Sequence, residues 1–194
     1  MLVLVTGLGN VGKSSFRRYL VRTLRAYRYT VLQADADGYS EARNPQDIDL
    51  VDITEVSSLC ENTICVVEDV NALGQDPLLP LTRYDLIFYV SADWDTHLQF
   101  WIGRGWQWFK RGAYDYTPNT GFKGTRRKYD PRNAPGILRV IWGQISQRPV
   151  MHNDLIVLAV SGVQSTIVDA RHSKRGPIFI EPLLGYFADS LRGT

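Results

Sequence analysis

Gly7, Gly12, Lys13 and Ser14 stand in the order G-x-x-x-x-G-K-[ST] within the stretch LVTGLGNVGKSSF. Residues of these types at this spacing hold phosphate. Glycines let the backbone curl until consecutive N–H groups across Gly7, Leu8, Gly9, Asn10, Val11 and Gly12 point inward, and the helix that follows adds the positive end of its dipole. Lys13 is expected to bridge the β- and γ-phosphates of a nucleoside triphosphate, and Ser14 to complete a Mg²⁺ shell, with Ser15 beside them. The loop by itself does not select ATP over GTP.

A nucleotide held this way needs a second group to treat the acceptor, and the carboxyl ends of neighbouring strands are the natural place for it. The stretch LQADADGY ends an apolar run with Asp35 and Asp37. Two carboxylates two residues apart on an extended chain point to the same side. One suits the role of base toward an acceptor hydroxyl, the other that of steadying a Mg²⁺-bound water. An Asp-Gly turn at 37 and 38 is the plainer reading of the same residues. A second acidic pair closes TICVVED. Glu68 directly follows the apolar run and is the expected metal-ordering carboxylate, while one of Glu68 and Asp69 is expected to cap the turn.

Strands and helices must carry these groups to one place. Residues 1–6 form a short apolar run ahead of the loop, and KSSFRRYLVRTLRAYR after it sets Phe16, Leu20, Leu24 and Tyr27 at helical spacing with arginines between. YTVLQAD, NTICVVED and YDLIFYVSA read as further strands, the last two with the continuous apolar character of strands buried on both faces. The alternation predicts an α/β fold, a three-layer sandwich with a mainly parallel sheet of about five strands. Asp93 is placed to cap a helix over 93–110, which Gly103 and Gly105 are expected to break or hinge. APGILRVIWGQIS reads as a helix, DLIVLAVSG (154–162) and STIVD (165–169) as strands, and PIFIEPLLGYFADSLR as a closing helix whose start Pro177 and Pro182 blur.

Trp94, Phe100, Trp101, Trp106, Trp108 and Phe109 crowd into sixteen residues. Phe100 and Trp101 suit the core, whereas Trp106 or Trp108 suits stacking on a base or ring of the acceptor. Residues 104–132 carry eight Lys or Arg against two Asp, and 111–135 lack apolar periodicity, which predicts a mobile excursion and a lid or insert at 104–135. Arg104, Arg111 and the cluster of Arg126, Arg127 and Lys128 are lid candidates, suited to closing over the phosphates and stabilising charge on the transferring group. A solvated basic loop is the plain alternative, and a hold on a polynucleotide backbone a third. His97 is expected at the surface and His152 and His172 in polar turns, while Arg171 or Lys174 is placed to flank a base.

The stretch VVEDVNALGQDPLLPLTRYDLIFYVSADWDTHL resembles the P-loop kinases of the uridine kinase and phosphoribulokinase type, with an acid after a buried strand, then Ala-Leu, a short helix, and Asp-Leu opening a strand that ends in an Asp-rich turn. ADADGYSEARNPQDIDL is similar to the Asp-containing turn of that family, and the resemblance spans roughly residues 2–111. It implies ATP and Mg²⁺, Asp37 or Asp35 as base and Glu68 as the Walker B acid. QADAD is also similar to the turn of adenylylsulfate kinases. TVLQADADGY resembles partition-type ATPases as well, but their signature lysine would fall where Leu8 stands, and Asn10 replaces one of their glycines. Small GTPases fit less, because no D-x-x-G follows the third strand and MHND is not a guanine motif.

A chain of 194 residues suits one domain, and 44 % hydrophobic with 22 % charged residues excludes long disorder or a fibre. Net charge is +2, too small by itself to imply a nucleic-acid partner. No apolar stretch approaches the ~20 residues of a membrane helix, no signal-peptide pattern is present, and Cys60 and Cys65 lack metal or redox spacing. The expectation is a cytoplasmic kinase with free thiols, taking a nucleoside triphosphate and a small hydroxyl-bearing acceptor. A partition-type switch, a polynucleotide end kinase and a homodimer stand as alternatives.

Overall fold

The computed structural model describes residues 1–35, 50–51, 63–74, 79–113, 116–117, 121–122, 126–146, 150–171 and 178–180. Its centre is a sheet of order β3-β2-β4-β1-β5-β8-β9, built from β1 (Leu2–Gly7), β2 (Thr30–Asp35), β3 (Leu50–Val51), β4 (Thr63–Glu68), β5 (Leu86–Ser91), β8 (Ser165–Arg171) and β9 (Ile178–Ile180). The five longer strands are parallel, as expected. Among the described residues two short edge strands are added, β3 parallel to β2 and β9 antiparallel to β8. A separate two-stranded hairpin joins β6 (Tyr116–Thr117) to β7 (Gly121–Phe122).

Alternate residues of the same strands feed two cores. Val3, Val5, Val66, Leu86, Phe88 and Val90 pack beneath Phe16, Leu20, Val21 and Leu24 of α1 (Lys13–Ala26). Leu4, Cys65, Val67, Ile87 and Tyr89 face the other way, toward Leu158 of α4 (Val150–Ser161). Helices therefore cover both faces, and strands buried on both sides read as unbroken apolar runs. Full burial of a side chain such as Phe16 contributes about 2–3 kcal/mol. Burial pushes the Cys65 thiol up to about 11. Cys65 is free and buried, and Cys60 lies outside the described residues.

Four sequence expectations meet a different outcome here. Residues 154–161 are helical. In α4, Met151, Leu155 and Leu158 turn inward at helical spacing while Ile156 and Val160 stay exposed, so the apolar run was one helix stripe and its flank. The Tyr89 hydroxyl donates to Asp154 at 2.8 Å and fixes this helix on the sheet. His152 consequently sits in a helix and not in a turn. The expected closing helix instead contributes β9 over Ile178–Ile180, and 181–194 lie outside the described residues.

The fourth correction concerns α2 (Trp94–Arg111), which runs unbroken through Gly103 and Gly105. Asp93 caps it as expected, its Oδ1 accepting from the Thr96 N–H at 2.7 Å. Gly105 marks a crossing: a Cβ there would stand 2.6 Å from Ile141 Cδ1 and 3.1 Å from Ile137 Cγ2. Those isoleucines belong to α3 (Ala134–Ser146), the helix foreseen over these residues, and with Trp101 and Ile145 they form a third, smaller core. Within 111–135 the described part is tightly tied. Arg126 N–H donates to Gly112 O at 2.7 Å and Asn133 N–H to Asp130 O at 2.9 Å.

Candidate functional site

The loop after β1 is shaped by left-handed residues. Gly7 has φ 137°, and a Cβ there would meet the Val90 carbonyl of β5 at 2.1 Å. Only glycine fits so close to a neighbouring strand. Asn10 (φ 59°) and Gly12 (φ 97°) add two more left-handed turns, and Gly12 opens α1. Asn10 is one of the few residue types that accept this conformation without glycine's freedom. Val11, fully buried, and the half-buried Leu8 root the loop in the first core. The curl directs the loop toward the N-terminus of α1, where unpaired N–H groups and the helix dipole favour an anion.

Lys13 is buried, and its Nζ donates to the Leu8 carbonyl at 2.8 Å, which lays the ammonium across the loop. Ser14, one residue on, donates from Oγ to Glu68 Oε1 at 2.7 Å. The other carboxylate oxygen, Oε2, accepts from Arg17 Nε at 3.0 Å, and Arg17 Nη1 donates to Gln33 Oε1 at 3.0 Å. Arg17 is 1 % exposed. Among the arginines that stand between the apolar positions of α1, Arg17 is buried. Its sequence signal is position: it falls three residues after Ser14 and four before Val21, on the buried stripe.

Register puts the acidic strand ends level. Glu68 pairs with Val5 on one side and with Asp35 on the other, so the ends of β1, β2 and β4 face one space. Asp69 takes the capping role foreseen for one of the pair, accepting from the Asn71 N–H at 2.8 Å. Asp35 closes β2, while Asp37 lies outside the described residues. Ser14 and Glu68 form a hard-oxygen pair beside the loop after β1. This suits Mg²⁺, which takes one or two protein ligands plus substrate phosphates and keeps several waters. Among the described residues no group of three or more His, Cys, Asp or Glu forms a self-sufficient metal site.

Because α2 starts directly after β5, its first turns lie at the same strand ends as the loop. His97, expected at the surface, is 2 % exposed and lies against the loop crest, with Nε2 2.9 Å from Gly9 O. The Trp101 indole N–H donates to the same nitrogen at 2.9 Å. Gln144 of α3 also reaches the crest: a Cβ on Gly9 would stand 3.0 Å from its Oε1. One turn past Trp101, Arg104 donates from Nη1 to Asn10 Oδ1 at 3.3 Å, with its guanidinium 5.7 Å from the Trp108 ring centre. His97, Trp101 and Arg104 fall at i, i+4 and i+7, a single helix face.

Not every lid candidate joins them. Arg111 ends α2, roughly 10 Å along the axis from Arg104 at the helical rise. Arg126, Arg127 and Lys128 are exposed in the turn that packs on the end of α2. Arg171 ends β8 and pairs with Asp169 at 3.2 Å, and Lys174 and His172 lie outside the described residues. Trp101 is a core residue as expected, Phe100 is partly buried against the first core and Trp108 against the third, and Trp106 is exposed.

No protein-family model matches the chain, and no curated protein matches its sequence. Among solved structures, the chain is similar to shikimate kinase from Bacteroides thetaiotaomicron, with 12 % identity and a TM-score of 0.42 over 87 % of this chain and 85 % of that one. Among the described residues no helix is long and apolar enough to cross a membrane.

Proposed function

We propose that the chain is a Mg²⁺-dependent P-loop phosphotransferase that moves the γ-phosphate of ATP, or of GTP, to a small hydroxyl-bearing acceptor. The observation that carries this reading is the linked set Ser14–Glu68–Arg17 beneath the phosphate loop. A glycine turn with a solvent lysine would have no use for a serine hydroxyl bonded to a buried carboxylate at a strand end. Backbone N–H groups from Gly7 to Ser15 would cradle the β-phosphate, and Lys13 would move from the Leu8 carbonyl to bridge β- and γ-oxygens.

Mg²⁺, held through Ser14 and the water ordered by Glu68, would supply charge neutralisation across the β- and γ-phosphates. Asp35 or Asp37 would take the proton of the acceptor hydroxyl as its oxygen bonds to the γ-phosphorus and the bond to the bridging oxygen breaks, releasing the nucleoside diphosphate. Arg104, steadied by Asn10 and Trp108, is the residue of 104–135 best placed to meet charge on the transferring group. Arg111 has no comparable approach.

The test is transfer from γ-labelled ATP across a panel of nucleosides, sugars, vitamins and oligonucleotides. Labelled product with wild type and none with Lys13→Ala is the expected result, and loss of transfer in Asp35→Asn or Asp37→Asn identifies the base. ATP-dependent dimerisation abolished by Lys13→Ala, with hydrolysis and no acceptor, would instead identify a partition-type switch.

A further inference from the structure

Trp106 and Phe109 stack on the outer face of α2, with ring centres 5.7 Å apart and planes at 26°. Tyr129 completes the group, 6.2 Å from Trp106 and edge-on to Phe109 at 6.0 Å. Trp106 and Tyr129 both remain 55 % exposed. Phe109 is partly buried against the third core and roots the group, while Trp106 and Tyr129 keep more than half of their surface open to water.

The group is held on a rigid frame. Tyr129 N–H donates to Phe109 O at 3.2 Å and Arg126 N–H to Gly112 O at 2.7 Å, while Asn133 Nδ2 donates to Arg127 O at 3.3 Å. Gly112 lets the two strands of chain touch, since a Cβ there would meet Arg126 O at 2.1 Å. Tyr129 itself has φ 58°, a costly conformation for a bulky side chain that persists only where its surroundings impose it. The hydrogen bond to Phe109 O and the ring contacts with Trp106 and Phe109 are the surroundings that hold it there.

Cations border the rings. Lys110, Arg111, Arg127 and Lys128 are exposed, and among the described residues no carboxylate pairs with them. Beside Arg127 and Lys128, Asp130 is taken by Arg132 at 2.6 Å, while Asp115, the acid nearest to Lys110 and Arg111 in sequence, lies outside the described residues. Stacked rings with exposed cations beside them fit a ligand that alternates flat faces with phosphates, as single-stranded nucleic acid does. A duplex keeps its base faces inside the stack. An acidic protein or an anionic bilayer would answer the charges and leave the ring faces without a counterpart.

We propose that Trp106, Phe109 and Tyr129, with Lys110, Arg127 and Lys128, form a binding surface for single-stranded nucleic acid. The assignment is independent of phosphoryl transfer, and Lys13→Ala is expected to keep it. The experiment is fluorescence anisotropy of labelled dT20 and rU20 against full-length protein, with a 20-base-pair duplex and vesicles containing anionic lipid as competitors. Single strands bind and duplex and vesicles compete poorly. Trp106→Ala/Tyr129→Ala weakens binding about tenfold or more, and Trp106→Phe/Tyr129→Phe retains it. Lys110→Ala/Lys128→Ala lowers the slope of log affinity on log salt by about 1.4. Should the alanine pair fail to fold, quenching of wild-type indole emission by dT20 reads the same stacking. Binding that survives ring truncation, a preference for duplex, or capture by vesicles with no uptake of oligonucleotide would overturn the proposal.

Discussion

Arg17 sits 1 % exposed with its guanidinium divided between Glu68 and Gln33. Removing one partner of such a buried pair leaves the other charge without compensation, at about 3–5 kcal/mol. Arg17→Ala is therefore expected to lower the urea midpoint strongly. Arg17→Ala combined with Glu68→Gln should recover part of that loss, because the stranded carboxylate is gone. Asp130 shows the opposite electrostatic case. Hydrogen bonds from the Arg132 side chain and backbone hold its carboxyl down at about 2, against an ordinary 3.8. A depressed acid contributes stability that is fully present above its unfolded value and is lost as pH falls through the folded one. Acid unfolding followed between pH 4 and pH 2 should thus start at higher pH in Asp130→Asn than in wild type. No difference between the two above pH 5, beyond a constant offset, completes the expectation.

The helix pair α2 and α3 separates two glycines that look alike in sequence. Gly103 has nothing within 4 Å of a built Cβ, whereas Gly105 meets Ile141 and Ile137. Gly103→Ala should stabilise by about 1 kcal/mol through helix propensity alone. Gly105→Leu should cost about 1–3 kcal/mol by overpacking and, by pushing α3 away, should disturb Gln144 at the loop crest. Thermal melts of the two variants moving in opposite directions check this. The same pair shows where sequence reading reaches its limit. The glycine-rich turn after β1, α1 and the strands around Val3, Val66 and Phe88 are legible because local spacing and burial agree. His97 was not, since a lone histidine in a helix carries no sign of the loop that will cover it. Arg17 was hidden among arginines that do face water. Residues 154–161 misled because an apolar run of that length fits a strand or a helix, and only the partner surface decides.

At the scale of the molecule, one strand edge gathers the loop after β1, Glu68 of β4 and the first turns of α2, while the exposed ring group lies toward the far end of the same helix. A nucleotide that binds the folded loop and not the unfolded chain stabilises the whole protein by mass action, about 2.7 kcal/mol at a hundredfold excess over its dissociation constant. Mg-ATP should raise the melting temperature of wild type and leave that of Lys13→Ala unchanged.

The His97 contact also gives the protein an internal optical signal. Trp94, Trp106 and Trp142 are substantially exposed, but Trp101 is 6 % exposed and its indole N–H points at a nitrogen that also touches Gly9 O. That nitrogen accepts from Trp101 in one tautomer and donates to Gly9 in the other, so it cannot serve both at once. A ligand that turns the Gly9 carbonyl away should leave Trp101 as the partner of that nitrogen, and the change is expected in the blue, quencher-shielded part of the emission spectrum. The crest of the loop after β1 thereby comes with its own dye, readable without a label.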